Sequence, residues 1–373
     1  MIRILHILHS MNRGGTEAML MNLYRHIDRE RIQFDFLLTD PAPCAYEPEI
    51  GSLGGRVYRI PRLTRGNPLR YMRAADAFFK AHPEYRIVHS HTSSKSAIPL
   101  WIARRNGIPV RICHSHSNRS ESGINGLIRD ALKPALRHMA TDLFACSDAG
   151  AQWLYGTRTV RKGGVHIVKN AIPCADYAYD GSVRQEVRER LGLGDALVIG
   201  HTGRFHPAKN HLFLLDIFSE IRRRRPDARL LLVGDGALRP QIERRIAELG
   251  LADAVVLTGV VSDVHRYMQA MDVFVFPSHY EGLGMVLVEA QAAGLRCFTS
   301  AGSVPEEANV AGLVEYIPLS ESPAVWAERV LRHTGPHPRT GTLEKIRAKG
   351  YDIAEAARRL EAFYLRRAAE ISR

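Results

Sequence analysis

No segment of the 373-residue chain approaches the ~20 uninterrupted apolar residues of a membrane-spanning helix. The first ten residues, MIRILHILHS, are too short and too rich in histidine for a signal peptide, and no small-residue cleavage site follows them. They read as a first β-strand. Cysteine is scarce: Cys44, Cys113, Cys146, Cys174 and Cys297 are odd in number and far apart, with no CxxC pair. That excludes a disulfide scaffold and a cysteine-ligated zinc site, and points to reduced thiols in a cytoplasmic protein. No internal repeat is present, and no low-complexity stretch beyond the arginine run 222–225. That run ends a helix before Pro226, where cations offset the helix dipole. There is no helix-turn-helix, no RNA-binding signature and no platform of aromatics interleaved with basic residues, which excludes nucleic acid as the partner.

What is present is an ordinary globular composition, 45% hydrophobic and 24% charged, carrying a formal net charge of +12. The placement of that charge is informative. Residues 1–170 hold 25 Lys+Arg against 13 Asp+Glu, and the rest of the chain holds 26 of each. The whole excess therefore falls in the first half, which calls for an anionic partner such as a phosphorylated substrate or a lipid surface. One candidate patch is INGLIRDALKPALRHM, residues 124–139. Its Arg129, Lys133 and Arg137 recur on one helical face. Leu127, Ile128, Leu132 and Leu136 form an apolar flank, as in a helix lying on a bilayer, although Pro134 interrupts the pattern.

Short apolar runs alternate with amphipathic stretches along the chain. Strand candidates are IRILHIL, FDFLL, RVYRI, IVHSH, VRICHSH and LFACS, then ALVIGHTG, ARLLLVGDG, AVVLTG, DVFVFPS and RCFTS. Helical patterns such as EAMLMNLYRHI and KNHLFLLDIFSEIRRR separate them. This alternation predicts parallel sheets covered by helices on both faces. Length and pattern predict two Rossmann-like α/β domains, 1–170 and 171–351, with the final helix, within 352–373, packing back on the first.

Three strand-to-helix turns hold the chemistry, since ligands of open α/β sheets gather at the carboxyl ends of the strands. In SMNRGGTEA, Gly14 and Gly15 open a helix whose first residues include Thr16. The turn serves either close approach of an anionic ligand or tight packing. In HTGRFHPAKN, Arg204 and Lys209 lie at a helix start, where two cations repel the dipole unless an anion lies between them. In HYEGLGMVLVEAQAAG, a helix starts near Gly284 and ends at Gly294, with Glu281 in its turn. Glu289 lies inside an apolar helix, where a carboxylate needs a hydrogen-bonding partner. The strands IVHSH and VRICHSH end in His89/His91 and His114/His116. An HxH pair on a strand puts both rings on one face, so metal binding is conceivable, but the chain as a whole predicts no metal site. Lys95, after the first of these strands, is a candidate contact for an acceptor phosphate or else a solvated side chain.

The glycine pair after the first strand, GRFHPAK and the Glu-x7-Glu element ending in EAQAAG resemble the retaining glycosyltransferases of family 4, of the polysaccharide-assembly branch. The resemblance covers essentially the whole chain. It implies a GT-B fold, two Rossmann-like domains facing across a cleft, with the donor held by the second domain and the acceptor by the first. By that resemblance Glu289 holds the ribose hydroxyls of a nucleotide-sugar, a UDP-sugar by expectation, and Glu281 sits by the transferred sugar. The amides of Gly284, Met285, Val286 and Leu287 face sugar and phosphate. Arg204 and Lys209 meet the departing diphosphate. Gly15 and Thr16 border the donor, and backbone near Gly259 and Val260 contacts the nucleobase. The family's histidine near the donor sugar corresponds to His114 or, second, to His116; His116, Lys95 and His91 are candidates for the acceptor side. The chain has no DxD motif, so a metal-chelated diphosphate is not supported and no cofactor or metal is expected. The implied activity is transfer of a hexose to a glycan or lipid-linked acceptor by a cytoplasmic protein that binds the inner membrane surface peripherally. A sugar-nucleotide epimerase of the same fold is the alternative.

Overall fold

The structure is a computed structural model that describes residues 1–373 except 13, 65, 117–123, 336, 337 and 373, together with all side chains but those of 124, 125 and 127–129 among them. Two compact units are present, Met1–Ala171 with Asp352–Arg373, and Ile172–Tyr351.

The first unit holds seven parallel strands: β1 (Ile2–Leu8), β2 (Ile32–Leu38), β3 (Val57–Arg59), β4 (Ile87–Ser90), β5 (Val110–Ser115), β6 (Asp142–Ala145) and β7 (His166–Ile167). Their order is β3-β2-β1-β4-β5-β6-β7. The second unit holds β8 (Val198–Thr202), β9 (Arg229–Val233), β10 (Val255–Leu257), β11 (Val273–Phe276), β12 (Arg296–Ser300) and β13 (Val314–Ile317), in the order β10-β9-β8-β11-β12-β13, again all parallel. Both orders reverse direction beside the first strand of the unit. Such reversals create the crevice in which open α/β sheets take ligands.

The strand β11, VFVF, is buried on both faces and reads as a continuous apolar run, whereas β2, equally buried, carries Asp35, which accepts from Arg3 and Tyr85. The edge strand β13, VEYI, is only half covered and carries a glutamate, and the sequence pattern does not reveal it. Each sheet is packed on both faces by helices. In the first unit, the terminal helix Ile353–Glu370 buries Ile353, Ala357, Leu360, Phe363 and Tyr364 against the sheet and the helix Gly15–His26. In the second, Trp326 and Phe218 belong to one apolar face, and Phe274, Leu287 and Val288 to the other.

The proposed surface helix corrects one expectation. The helix Ile124–Met139 forms and runs through Pro134. Its Leu136 is fully buried and Leu132 packs on the same core, so this apolar flank faces inward. Lys133 is paired to Asp130 at 2.8 Å and lies over the Trp153 ring, while Arg137 donates to the Tyr155 carbonyl. The side chains of Leu127, Ile128 and Arg129 lie outside the described residues. No described helix is long and apolar enough to cross a membrane.

Candidate functional site

In the second unit, the loop after β8 is shaped by glycine. The Gly203 N–H donates to the Val233 carbonyl at 3.0 Å and the Phe205 N–H to the Asp235 carbonyl at 2.9 Å. A Cβ on Gly234 would lie 2.1 Å from the Gly203 carbonyl oxygen, and one on Gly236 2.5 Å from that of Phe205. The close approach of the two loops therefore depends on those glycines. It presents Arg204 as an exposed side chain and leads into the short turn Pro207–Lys209. Asn210, at φ +57°, redirects the chain into the helix His211–Arg224.

The same loop is tied to the glycine-rich turn after β11. The His279 N–H donates to the Ala208 carbonyl at 2.8 Å. Lys209 Nζ donates to Glu281 Oε1 at 2.6 Å and lies 4.7 Å from the centre of the Phe276 ring. Glu281 is itself placed by its N–H, which donates to the Ser303 carbonyl at 3.2 Å. Gly284, at φ +81°, is the residue before the helix Met285–Ala292, and Gly294, at φ +72°, follows it. As the first helical residues, Met285 and Val286 have no helical carbonyl to bond, so their amides point out of the helix start. The Leu287 amide differs from expectation: it donates to the Gly284 carbonyl at 2.8 Å, and its side chain is buried.

Glu289 lies one turn further along. Burial pushes its carboxyl up to about 7, against the opposing effects of the Tyr177 hydroxyl and the Lys209 charge. The Tyr177 hydroxyl, from the short turn Cys174–Tyr177, is close enough to the Glu289 carboxyl to oppose the effect of burial on it. As a residue Glu289 remains partly exposed, so the carboxylate is crowded but open to a ligand. Gly259, at φ +72°, pairs with Gly234 beyond the ends of β9 and β10, and Val260 beside it is exposed.

Buried polar atoms without a partner mark the same edge. His201 Nε2, Thr202 Oγ1, both ring nitrogens of His211, Ser278 Oγ and Ser300 Oγ are buried and unpaired among the described residues. All belong to the carboxyl ends of β8, β11 and β12 or to the helix that begins there. Such atoms are rare in folded proteins, and their concentration at one edge calls for a polar occupant. By contrast, a cavity of about 560 Å³ lined by Arg184, Arg188 and Asp272 opens at the amino-terminal edge of the same sheet. Its cations are bound already: Arg184 to Asp272 at 2.6 Å, Arg188 to the Ala270 carbonyl at 2.8 Å.

In the first unit, Gly14 precedes the helix Gly15–His26. A Cβ on Gly15 would meet no described atom within 4 Å, so tight packing does not explain that glycine; Thr16 is partly exposed beside it. Lys95 is exposed in the turn Ser93–Ser96 after β4. The four sequence-predicted histidines form, with His6 of β1, a connected array across β1, β4 and β5. His6 Nδ1 and His91 Nε2 are 3.0 Å apart, His91 Nδ1 and His116 Nε2 2.8 Å, and His89 Nε2 and His114 Nδ1 3.1 Å. His89 Nδ1 meets the Tyr364 hydroxyl at 2.6 Å. Burial lowers every one of these five, His6 and His116 to about 3, so the rings are neutral and share N–H···N bonds. His114 is enclosed within β5, whereas His116 stands just past the strand end and is partly exposed.

Sequence reasoning missed Tyr177, Gly234, Gly236 and His6. The VGDG after β9 held a signal for the two glycines; nothing near Tyr177 marked it.

The chain matches the family model described as "Glycosyl transferase 4-like domain" over residues 14–171 and the one described as "Glycosyl transferases group 1" over 196–334. It is 40% identical over 360 residues, 95% of this chain and 94% of the relative, to the "Putative glycosyltransferase EpsF" of Bacillus subtilis (strain 168). It is 23% identical over 312 residues, 80% and 79% of the two chains, to the UDP-Gal:alpha-D-GlcNAc-diphosphoundecaprenol alpha-1,3-galactosyltransferase of Escherichia coli. Among solved structures, Anabaena Alr3699/HepE in complex with UDP superposes with a TM-score of 0.75 at 19% identity, over 98% of this chain and 99% of that one. With its two parallel sheets and these matches, the chain belongs to the group 1, family 4 glycosyltransferases and has their GT-B fold.

Proposed function

We propose that the protein transfers a hexose from a UDP-sugar to a lipid-linked or glycan acceptor in polysaccharide assembly, with retention of configuration and without a metal on the diphosphate. The observation that carries this reading is the Lys209–Glu281 pair at the start of the helix that bears Glu289. It puts a cation, a carboxylate, free helix-start amides and a crowded carboxylate along one short path, the sequence of groups that a diphosphate, a sugar and a ribose require.

In this reading the ribose hydroxyls donate to Glu289, with Tyr177 orienting the carboxylate. The base lies by the backbone at Gly259 and Val260. The amides of Gly284, Met285 and Val286 and the side chains of Arg204 and Lys209 meet the diphosphate as its charge grows during bond breaking. Glu281 holds Lys209 in place and faces the sugar. Gly15 and Thr16 border the donor from the first unit, with His114 and His116 as the histidines of the donor sugar. His114 is the first choice of the two and His116, past the end of the strand, the second. His91 and Lys95 remain candidates for the acceptor side. Cations take the role that a metal would fill where a DxD motif exists. The family assignment favours transfer over the epimerase alternative.

UDP bound to HepE and the diphosphoundecaprenol acceptor of the Escherichia coli relative support the choice of donor and acceptor. The excess of positive charge in residues 1–170 suits a lipid diphosphate at an anionic, cytoplasmic membrane surface. The test is calorimetric titration with UDP, GDP and their sugars, followed by transfer to a lipid-diphosphate acceptor. Preference for a guanosine donor overturns the uridine assignment, and interconversion of donor sugars without transfer restores the epimerase.

A further inference from the structure

The histidine array is larger than a sugar-binding role needs. We propose that His91, His114 and His116 form a three-imidazole site for a borderline divalent transition-metal cation, Zn²⁺ being the natural occupant, which when bound takes the ring nitrogens of His114 and His116 that would otherwise meet the donor sugar.

One nitrogen from each of the three rings lies within 4.8 Å of the others. His114 Nε2 is buried without a partner among the described residues, while its Nδ1 is engaged by His89. The nitrogens His91 Nδ1 and His116 Nε2 point at one another across 2.8 Å. Each therefore directs a lone pair or an N–H into the same small space. Zinc–imidazole bonds of about 2.0–2.1 Å in a tetrahedral arrangement set nitrogens about 3.3–3.4 Å apart, so a cation requires the His91–His116 pair to widen by about 0.5 Å and the His114 nitrogen, within 4.8 Å of the others, to close on them as the rings turn.

The protons balance without net release. The rings are neutral, which is the ligating form. The proton shared by His91 and His116 moves to His91 Nε2, which faces His6 Nδ1 at 3.0 Å. His6 then carries its own proton on Nε2. His114 keeps its proton on Nδ1, donating to His89 Nε2, and the His89 Nδ1–H donates to the Tyr364 hydroxyl. Two of the three ligands thus have an imidazole behind them, the outer-shell support that orients ligating histidines and raises their basicity. His116 is partly exposed, so a cation can reach the rings from that side. A second triad, His6, His89 and His91, is wholly buried and lacks such a path.

Co²⁺ titration of the chelator-treated full chain, read without donor by visible absorption, tests this, because Co²⁺ reports coordination geometry. The expected result is saturation at one equivalent with an intense four-coordinate band that Zn²⁺ displaces. His116→Asn and His114→Asn should each abolish saturation with the four-coordinate band, and His6→Asn, which removes the support behind one ligand, should weaken binding by about 10–100-fold while the band is kept. A weak octahedral spectrum from the unaltered protein, or no saturation, overturns the proposal with no variant needed. Binding that survives His116→Asn but is lost in His6→Asn overturns it in favour of the inner triad. Circular dichroism of each variant separates loss of ligands from loss of fold.

Discussion

Lys209 Nζ and Glu281 Oε1 are 2.6 Å apart, joining residues 72 positions apart in the sequence. The cation proposed for the diphosphate and the carboxylate proposed for the sugar are thus one unit, and neither can be altered alone. Lys209→Ala should lower kcat by about 10²-fold or more with a smaller change in KM, because charge on the diphosphate develops as the bond breaks. The double variant with Glu281→Gln should be far from additive, with a coupling of about 1–3 kcal/mol in kcat/KM. Additive losses would show that the two residues act separately.

Glu289 and Tyr177 make a graded pair. Glu289→Ala should weaken donor binding by about 2–4 kcal/mol, since hydrogen bonds to a charged group contribute about 1.5–3 kcal/mol each and do not add. Tyr177→Phe removes only the hydroxyl beside that carboxyl and should cost about 0.5–1.5 kcal/mol. Calorimetric titration with UDP ranks them. Equal losses, or none at Glu289, rule out the ribose role.

Donor binding should depend on pH in a definite direction. With its carboxyl at about 7, Glu289 is partly protonated at neutrality. Ribose hydroxyls donate to the ionised form and draw its pKa down, so binding releases a proton. Affinity should rise as pH increases towards 7 and level off above it, by up to about tenfold per unit on the acid side. Titrations in buffers of different ionisation enthalpy count the proton, and Glu289→Gln should flatten the profile.

Much of this was legible before any coordinates. Buried parallel strands are mostly apolar, so β1, β2, β8, β9 and β11 announce themselves in spite of His6, Asp35 and His201 within them, and the turns after β1, β8 and β11 follow from them. The ion pair was not legible, because Arg204 and Lys209 looked like two cations awaiting an anion, and only the neighbouring of β8 and β11 brings Glu281 to one of them. Tyr177 lies in an irregular turn with no periodic pattern. The two HxH pairs were visible, but their bonding to His6 depends on the strand order β1-β4-β5, which local spacing does not encode. The basic helix misled for the opposite reason: helical periodicity shows that Leu132 and Leu136 share a face with one another, not which way that face turns.

The glycines behind the phosphate loop carry a structural prediction. At φ +139° and with a Cβ only 2.1 Å from the Gly203 oxygen, Gly234→Ala must displace one of the two loops. A loss of about 1–3 kcal/mol in stability is expected, together with a fall in kcat that Gly192→Ala, where the space is open, should not share. Thermal unfolding and steady-state rates decide between them.

The charge asymmetry leads to a prediction for membranes. Binding to vesicles containing anionic lipid should exceed binding to neutral vesicles at low salt and vanish near ~0.5 M salt, where the screening length is a few ångströms. Sedimentation measures both. Equal association with the two vesicle types would assign the charge to a soluble acceptor.

The Ile172 N–H donates to the Tyr351 carbonyl at 2.9 Å, so the first and last residues of the second unit are adjacent. That unit is in effect a cassette spliced into the first, and the ribosome delivers the two in an unequal order. Residues 172–351 form one uninterrupted stretch, whereas the first unit is assembled from two stretches on either side of it. The first unit must wait, with part of its sheet uncovered, until Phe363 and Tyr364 emerge, and the His89 ring gains its hydroxyl partner only then. A nonsense codon just after residue 351 would therefore leave the second unit whole and strip the first of its covering helix.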